Sequence, residues 1–346
     1  MKSYKYLISG KSGADYEQNQ IFSKKYAYFR HNGSKIFRED ENIGLTTLKK
    51  NLENKKIKLL TTDLVVGNNL SEIEIHFFGS WLKEKGKKYY CVLPEVNFVD
   101  KKCDINILKN KYDKIFTNIE SDIDKKKVFQ LNQPQSDKYI KSSFDKKKFC
   151  CIIANNKNLI KYSKKSGYAS RINVINWYLK NYPNKISIYG RGWDKFYSPN
   201  YFINRPLLYL QNYINYKKKQ NKQFKGAINK KIPIISQYKF NFCFENYYGS
   251  KGYFTEKIFD TFYASTIPIY LGCSNVEKYI PKNIFINFKS FKNMNDLYDT
   301  LNSIDKKTYK IFQDNIIDFL SSKKFKKFHY NRFVKILSSH ISSDLK

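Results

Sequence analysis

Six apolar residues in a row, Phe149-Cys150-Cys151-Ile152-Ile153-Ala154, stand between a Lys-rich polar stretch and a polar loop. An unbroken apolar run of that length suits a strand covered on both faces, which is the mark of a parallel sheet. Parallel neighbours need crossover connections, so strand and helix patterns should alternate along the chain. They do. After the polar loop 155–167, a helix is predicted from about Ser170, with Ile172, Ile175 and Leu179 at spacings of three and four. Lys185-Ile186-Ser187-Ile188-Tyr189 is the next strand, broken by Gly190-Arg191-Gly192. The rhythm returns with a strand at 238–245, a loop at 246–252, a helix at 253–265 and a strand at 267–271 that stops at Gly272. This alternation predicts an α/β doubly wound sheet for the second half.

The first half reads as α/β as well. Strands are predicted at 56–61, 73–78 and 88–93, the last ending at Pro94, and at 114–117. The polar, Lys-rich residues 135–148 read as a linker. A chain of 346 residues exceeds what one core usually serves. The expected organisation is therefore 1–140 as one domain, 149–320 as a second, and 321–346 as a basic tail. A hydrophobic content of 41%, with 17% aromatic, argues against disorder over most of the length. No stretch approaches the ~20 apolar residues of a membrane span, and the N-terminus lacks the apolar run of a signal peptide. The six cysteines form no C-x-x-C pair, so no zinc site is predicted. Free thiols and a cytoplasmic location are expected, with Cys150, Cys151 and Cys243 as core residues of strands.

The 64 Lys and Arg outnumber the 30 Asp and Glu, a net charge of +34. Such a balance favours anionic partners: nucleic acid, phosphorylated ligands or an acidic membrane face. The lysines are spread along the chain and accompany abundant Asn, Ile, Tyr and Phe, all encodable by AT-rich codons. Drift in base composition and selection for anions both remain open as its source. No zinc finger or aromatic RNA-binding strand is present, so nucleic acid is not the expected partner.

In open parallel sheets, ligands sit beyond the carboxyl ends of the strands. The loop 246–252 occupies such a position, and the helix after it turns its free N–H groups and positive end toward it. Glu256 and Lys257 fall in the first turn of that helix, where the helix dipole disfavours a lysine unless an anion shares the site. Tyr253 offers a ring and a hydroxyl nearby, while Ile258, Phe259, Phe262 and Tyr263 form the stripe that packs on the sheet. An ordinary amphipathic helix with a solvated Glu-Lys pair fits the spacing equally.

The segment as a whole resembles the signature of the α1,3/α1,4-fucosyltransferases, glycosyltransferase family 10. The resemblance is carried by Tyr238-Lys239-Phe240, Phe244-Glu245-Asn246, Tyr253-Phe254-Thr255-Glu256-Lys257 and Pro268-Ile269-Tyr270-Leu271-Gly272. It continues through Tyr279-Ile280-Pro281 and Phe285-Ile286. Ser170-Arg171 and Ile188-Tyr189-Gly190-Arg191-Gly192 are similar to two further family stretches, and the first 140 residues match loosely. The resemblance implies a GT-B architecture: two Rossmann-type domains facing across a cleft, with a GDP-fucose site in the second. It implies an inverting transfer of L-fucose to an oligosaccharide hydroxyl, with α1,3 linkage to GlcNAc of a surface glycan as the leading expectation.

Carried over residue by residue, Tyr253, Glu256 and Lys257 contact the donor. Lys257 meets the diphosphate and Glu256 the sugar or ribose hydroxyls. Arg191 is the second phosphate-binding cation, and Asn246 and Arg171 are further donor contacts, Arg171 having a structural alternative. Two cations can stabilise departing GDP, so no metal or other cofactor is expected. The Asp122-Ile123-Asp124 triplet reads as a solvated loop. Glu95, just after the strand at 88–93, resembles the family's proposed general base and is counted as catalytic with Glu256. None of the four histidines, His31, His76, His329 and His340, is expected to be the base. The tail, with Lys323-Lys324-Phe325-Lys326-Lys327-Phe328, has two compatible readings: a final helix packing across the domains, or a basic surface resting peripherally on an anionic inner membrane face.

Overall fold

A computed structural model of the chain describes residues 5–10, 22, 27–29, 35–37, 42–61, 64, 71–77, 86–156, 165–193 and 222–346. The stretch 201–225, to which the sequence assigns no element, lies outside the described residues except for 222–225, as do residues 157–164 of the polar loop 155–167 and His31. In chain order the elements are β1 (Lys5–Gly10), β2 (Ala27–Phe29), β3 (Lys35–Phe37), α1 (Ile43–Glu53), β4 (Ile57–Thr61), β5 (Ser71–Phe77), β6 (Gly86–Leu93), α2 (Ile105–Lys109), β7 (Lys114–Thr117) and β8 (Val128–Gln130). They continue with β9 (Lys148–Ile153), α3 (Gly167–Asn181), β10 (Ile186–Tyr189), α4 (Lys231–Ile235), β11 (Tyr238–Phe244), α5 (Glu256–Tyr263), β12 (Ile267–Leu271), β13 (Ile286–Asn287), α6 (Met294–Ser303), α7 (Lys306–Ser321) and α8 (Tyr330–Asp344). The chain divides into two compact units. Unit 1 holds Met1–Asp137, Ser250–Glu256 and Ser322–Lys346; unit 2 holds Lys138–Gly249 and Lys257–Ser321.

Unit 1 is built on a parallel sheet of order β4-β1-β5-β6-β7-β8; β2 and β3 form a separate antiparallel pair. On one face, Leu45, Leu48 and Leu52 of α1 pack with Phe333, Leu337 and Ile341 of α8 over Leu59, Ile75 and Phe116. On the other, Leu108 and Tyr112 cover Cys91, Ile115 and Val128. The C-terminal helix is pinned at its end by Asp344, whose carboxylate accepts the Tyr90 hydroxyl and pairs with the Lys114 ammonium at 2.8 Å. In the tail, Phe325, Phe328 and Phe333 turn inward, while Lys323, Lys324, Lys326 and Lys327 stay exposed. These three phenylalanines thus pack inward, while the four lysines beside them face solvent.

Unit 2 holds a second parallel sheet, of order β10-β9-β11-β12-β13. In β9, the run that carries the expectation of burial on both faces, Cys150, Cys151 and Ile152 are buried and Phe149 and Ile153 half-buried; every residue of β10 and β12 is buried, as is nearly every residue of β11. Cys150, Cys151 and Cys243 are buried within β9 and β11, as read from the sequence. The helix expected over 253–265 is shorter, Glu256–Tyr263. Its far end is set by Ser265, which adopts a left-handed φ of 54° usually left to glycine. That conformation is held by Gln313 and Tyr309, which donate to the Ser265 carbonyl at 3.1 and 3.2 Å, and by the Tyr139 hydroxyl 2.9 Å from Ser265 Oγ.

Lys147, just before β9, closes the same amino-terminal edge of the sheet. Its buried ammonium donates to the carbonyls of Tyr238 and Ser265 at 3.1 and 3.0 Å and to the Thr266 hydroxyl at 3.2 Å. Burial pushes its pKa down to about 7 from an ordinary 10.5. Above pH 7 the unfolded chain therefore binds a proton at this lysine that the folded chain does not, and stability rises with pH. The rise is opposed from about pH 9, where thiols freed by unfolding ionise and the buried Cys91 and Cys243 do not. Calorimetric melting of the wild type and of Lys147→Met between pH 7 and 9 should show a positive slope in the former and a flatter one in the latter.

Candidate functional site

In unit 2, β9 has β10 on one side and β11 on the other, so the connections change direction beside β9. A crevice at the carboxyl ends of β9 and β11 follows from that switch. Arg191 lies on this edge, directly after β10. Its turn is fixed by backbone: Arg191 N donates to Asn155 Oδ1 at 2.9 Å, and its carbonyl accepts from Asn156 N at 2.8 Å. Gly190, at φ 126°, brings the turn so close that a Cβ there would stand 2.0 Å from the Ala154 carbonyl oxygen. The Arg191 side chain is half-buried.

The end of β11 holds the densest polar arrangement on the edge. Glu245 has a fully buried side chain, and its Oε2 pairs with Lys257 Nζ at 3.2 Å. A carboxylate without solvent is stable only beside a counter-charge or donors, so Lys257 is held by need as well as by proximity. Tyr270 and Gly272 wall the same spot: a Cβ on Gly272 would lie 2.5 Å from Glu245 Cγ and 2.3 Å from the Tyr270 hydroxyl oxygen. Arg171 is buried and stacks over the Tyr168 ring at 4.8 Å. Its guanidinium donates to the Phe244 carbonyl and, at 3.1 Å, to Asn246 Oδ1. The backbone carbonyl of Asn246 accepts from Gly167 N at 3.1 Å. A Cβ on Gly167 would be 1.7 Å from the Glu245 carbonyl oxygen, so α3 begins there, earlier than the apolar spacing indicated, because a glycine permits the approach.

Residues 250–256 belong to unit 1 and lie against the carboxyl ends of β6 and β7. Gly252, at φ 77°, fits where a Cβ would meet the Asn118 carbonyl oxygen at 2.3 Å. Asn118 Nδ2 donates to the Phe254 carbonyl at 2.7 Å, and Glu120 N to the Lys251 carbonyl at 3.0 Å. This docking keeps 253–255 out of the helix, so α5 begins at Glu256. Tyr253 is fully buried, and its hydroxyl donates to Glu95 Oε1. Glu95 itself is half-buried in the turn after β6.

Of the residues selected from sequence, Lys257, Asn246 and Arg171 thus gather at the end of β11, with Arg191 on the same edge of that sheet. Tyr253 and Glu95 meet in unit 1, and half-buried Glu256 opens α5. Asp124 accepts from the backbone N–H groups of Lys126, Lys127 and Val128 and pairs with Lys109 at 3.1 Å, contacts that hold its carboxyl below the ordinary range. Those bonds close a turn. His76 is buried between Glu74 and Tyr112, bonded to each at 2.7 Å.

Residues 145–314 match the family described as glycosyltransferase family 10 (fucosyltransferase), C-terminal. That segment belongs to glycosyltransferase family 10. The alpha-(1,3)-fucosyltransferase FucT of Helicobacter pylori is 46% identical over 72 residues, which is 21% of this chain and 15% of that protein. The 4-galactosyl-N-acetylglucosaminide 3-alpha-L-fucosyltransferase 9 of Mus musculus is 42% identical over 77 residues, 22% of this chain and 21% of that protein. The aligned stretches therefore span about a fifth or less of these two relatives. In fold the likeness extends further: a crystal structure of alpha1,3-fucosyltransferase with GDP superposes with a TM-score of 0.53 at 16% identity, over 98% of this chain and 91% of that one. The chain accordingly has a GT-B-like α/β architecture with two parallel sheets.

Glu245 is the site residue that sequence reasoning passed over. The signal was available: it is the charged residue that ends the buried run of β11 within the family segment. Removing its partner in this family 10 segment leaves a fully buried carboxylate without the Lys257 ammonium. Lys257→Ala should therefore cost on the order of 3 kcal/mol of stability. Glu245→Gln should cost less, since the lysine can turn toward water, and Glu245→Gln/Lys257→Gln should recover much of the loss. Chemical denaturation of the three variants checks the order.

Proposed function

We propose that the chain transfers L-fucose from GDP-fucose to a hydroxyl of an oligosaccharide acceptor, with inversion at the fucosyl carbon. The observation that carries this reading is the Glu245-bound Lys257 at the sheet's carboxyl edge, within the segment matched to family 10. Lys257 and Arg191 bind the diphosphate, and Glu256 takes sugar or ribose hydroxyls. Asn246, held by Arg171, lines the donor side, and Tyr253 completes the assigned set. As the acceptor oxygen bonds to the fucosyl carbon, the bond from that carbon to the β-phosphate oxygen breaks and GDP leaves with the electron pair. The two cations stabilise the charge that develops on it, the effect that most often dominates such transfers. Glu95 takes the proton of the acceptor hydroxyl. These roles use the chain's own side chains throughout.

The names of the relatives support an α1,3 linkage to the GlcNAc of a galactosylated glycan. Among the described residues no helix is long and apolar enough to cross a membrane. A peripheral contact with an anionic bilayer would run through the exposed lysines at 323–327 and be electrostatic, weakening with salt.

GDP should raise the melting temperature of the wild type more than UDP or CMP does. Most of that shift should be lost in Arg191→Ala and in Glu245→Gln/Lys257→Gln, the latter leaving no unpaired buried charge at the site. With GDP-fucose and a panel of oligosaccharides, mass spectrometry should detect a fucosyl adduct on the wild type's products. The rate in either variant should fall by about 100-fold or more. A melting shift with UDP and none with GDP would overturn the donor assignment.

A further inference from the structure

We propose that Tyr253 is a positioning residue for Glu95: its hydroxyl donates to the Glu95 carboxylate, holding it ionised and oriented to receive the acceptor's proton. This rests on the reading of Glu95 as the general base and adds to it a residue that sets its state. A fully buried tyrosine must find an acceptor for its O–H, and a phenylalanine would fill the same volume without that demand. The acceptor here is Glu95 Oε1, which also faces the Val96 N–H at 3.4 Å.

The tyrosine is not free to choose another partner by sliding, because the residues on both sides of it are registered against unit 1. Before it, Lys251 accepts from Glu120 N at 3.0 Å, and Gly252 fits against the Asn118 carbonyl. After it, Phe254 accepts from Asn118 Nδ2 at 2.7 Å, and its ring meets Phe328 edge-on at 5.7 Å between centroids. A donor held by its neighbours in this way restricts the carboxylate's rotation and favours its charged form, the form a base must have. Other charged groups on the elements that meet here include Glu120 and Asp122 on the turn after β7 and Lys251 and Glu256 on the segment itself. All of them are retained when the hydroxyl alone is removed, so a change can be assigned to Tyr253.

The test compares the wild type with Tyr253→Phe and Tyr253→Met, two variants that keep the apolar bulk and lose the hydroxyl. Carbon-13 NMR of glutamate-labelled protein follows the Glu95 carboxyl through a pH titration, with Glu95→Gln identifying its resonance. The expected result is a Glu95 titration moved to higher pH in both variants. The acid limb of the kcat profile should move with it. An unmoved Glu95 titration overturns the positioning role. So does a tenfold rise in donor KM with the titration unmoved, which would make Tyr253 a donor contact only. Absence of turnover with GDP-fucose in the wild type would sink the donor assignment instead, a failure the titration does not share.

Discussion

A carboxylate with no access to water has to be neutralised where it stands, and at Glu245 the ammonium of Lys257 does so. Much of the local architecture of unit 2 is arranged around that pair. The strand that delivers Glu245 is buried along nearly its whole length, so the residue cannot move toward solvent without dragging β11 with it. Gly272 and Tyr270 leave the carboxylate no spare volume. Gly167 lets α3 start against its carbonyl, which brings Arg171 to the Phe244 and Asn246 oxygens. The lysine is thereby offered at a defined place, one-fifth exposed, at the start of a helix whose dipole alone would disfavour it.

The stretch from Glu245 to Lys257 changes unit twice within thirteen residues. It leaves unit 2 after Gly249, docks Ser250–Glu256 on unit 1, and returns at Lys257. Backbone closeness makes the docking possible, since Gly252 stands where any side chain would strike the Asn118 carbonyl. The glycines at 167, 252 and 272 therefore act through space that other residues would occupy, and the polar residues beside them inherit their positions from that.

Strand and helix patterns were legible because they depend on near neighbours. The apolar runs of β9, β11 and β12 and the stripe of α5 announce themselves by period. In the first half β1, β8 and α1 carry no reading from the sequence; among the second-half elements predicted from sequence, the differences lie at their ends. Helix α5 is expected from residue 253, but a hydrogen bond from Asn118, more than a hundred residues earlier, holds Phe254 outside it, and the helix begins at Glu256. The start of α3 was missed by three residues for a similar cause, a backbone contact with Glu245. Glu245 itself was read as the end of a strand, since nothing in a linear sequence says that its carboxylate has no water.

The sequence by itself determined the α/β character of both halves, the parallel sheet of the second, its strand cores and the family segment with its lysine and glutamates. These follow from periodicity and from residue types at fixed spacing, which local physics suffices to interpret. Only the tertiary structure decided that Glu245 is Lys257's partner, that Arg171 spends bonds on the end of β11, and that Tyr253 reaches Glu95. Each of those depends on burial and on contacts between residues distant in the chain, and burial, which turns a surface charge into one that must be answered, exists only once the chain has folded around it.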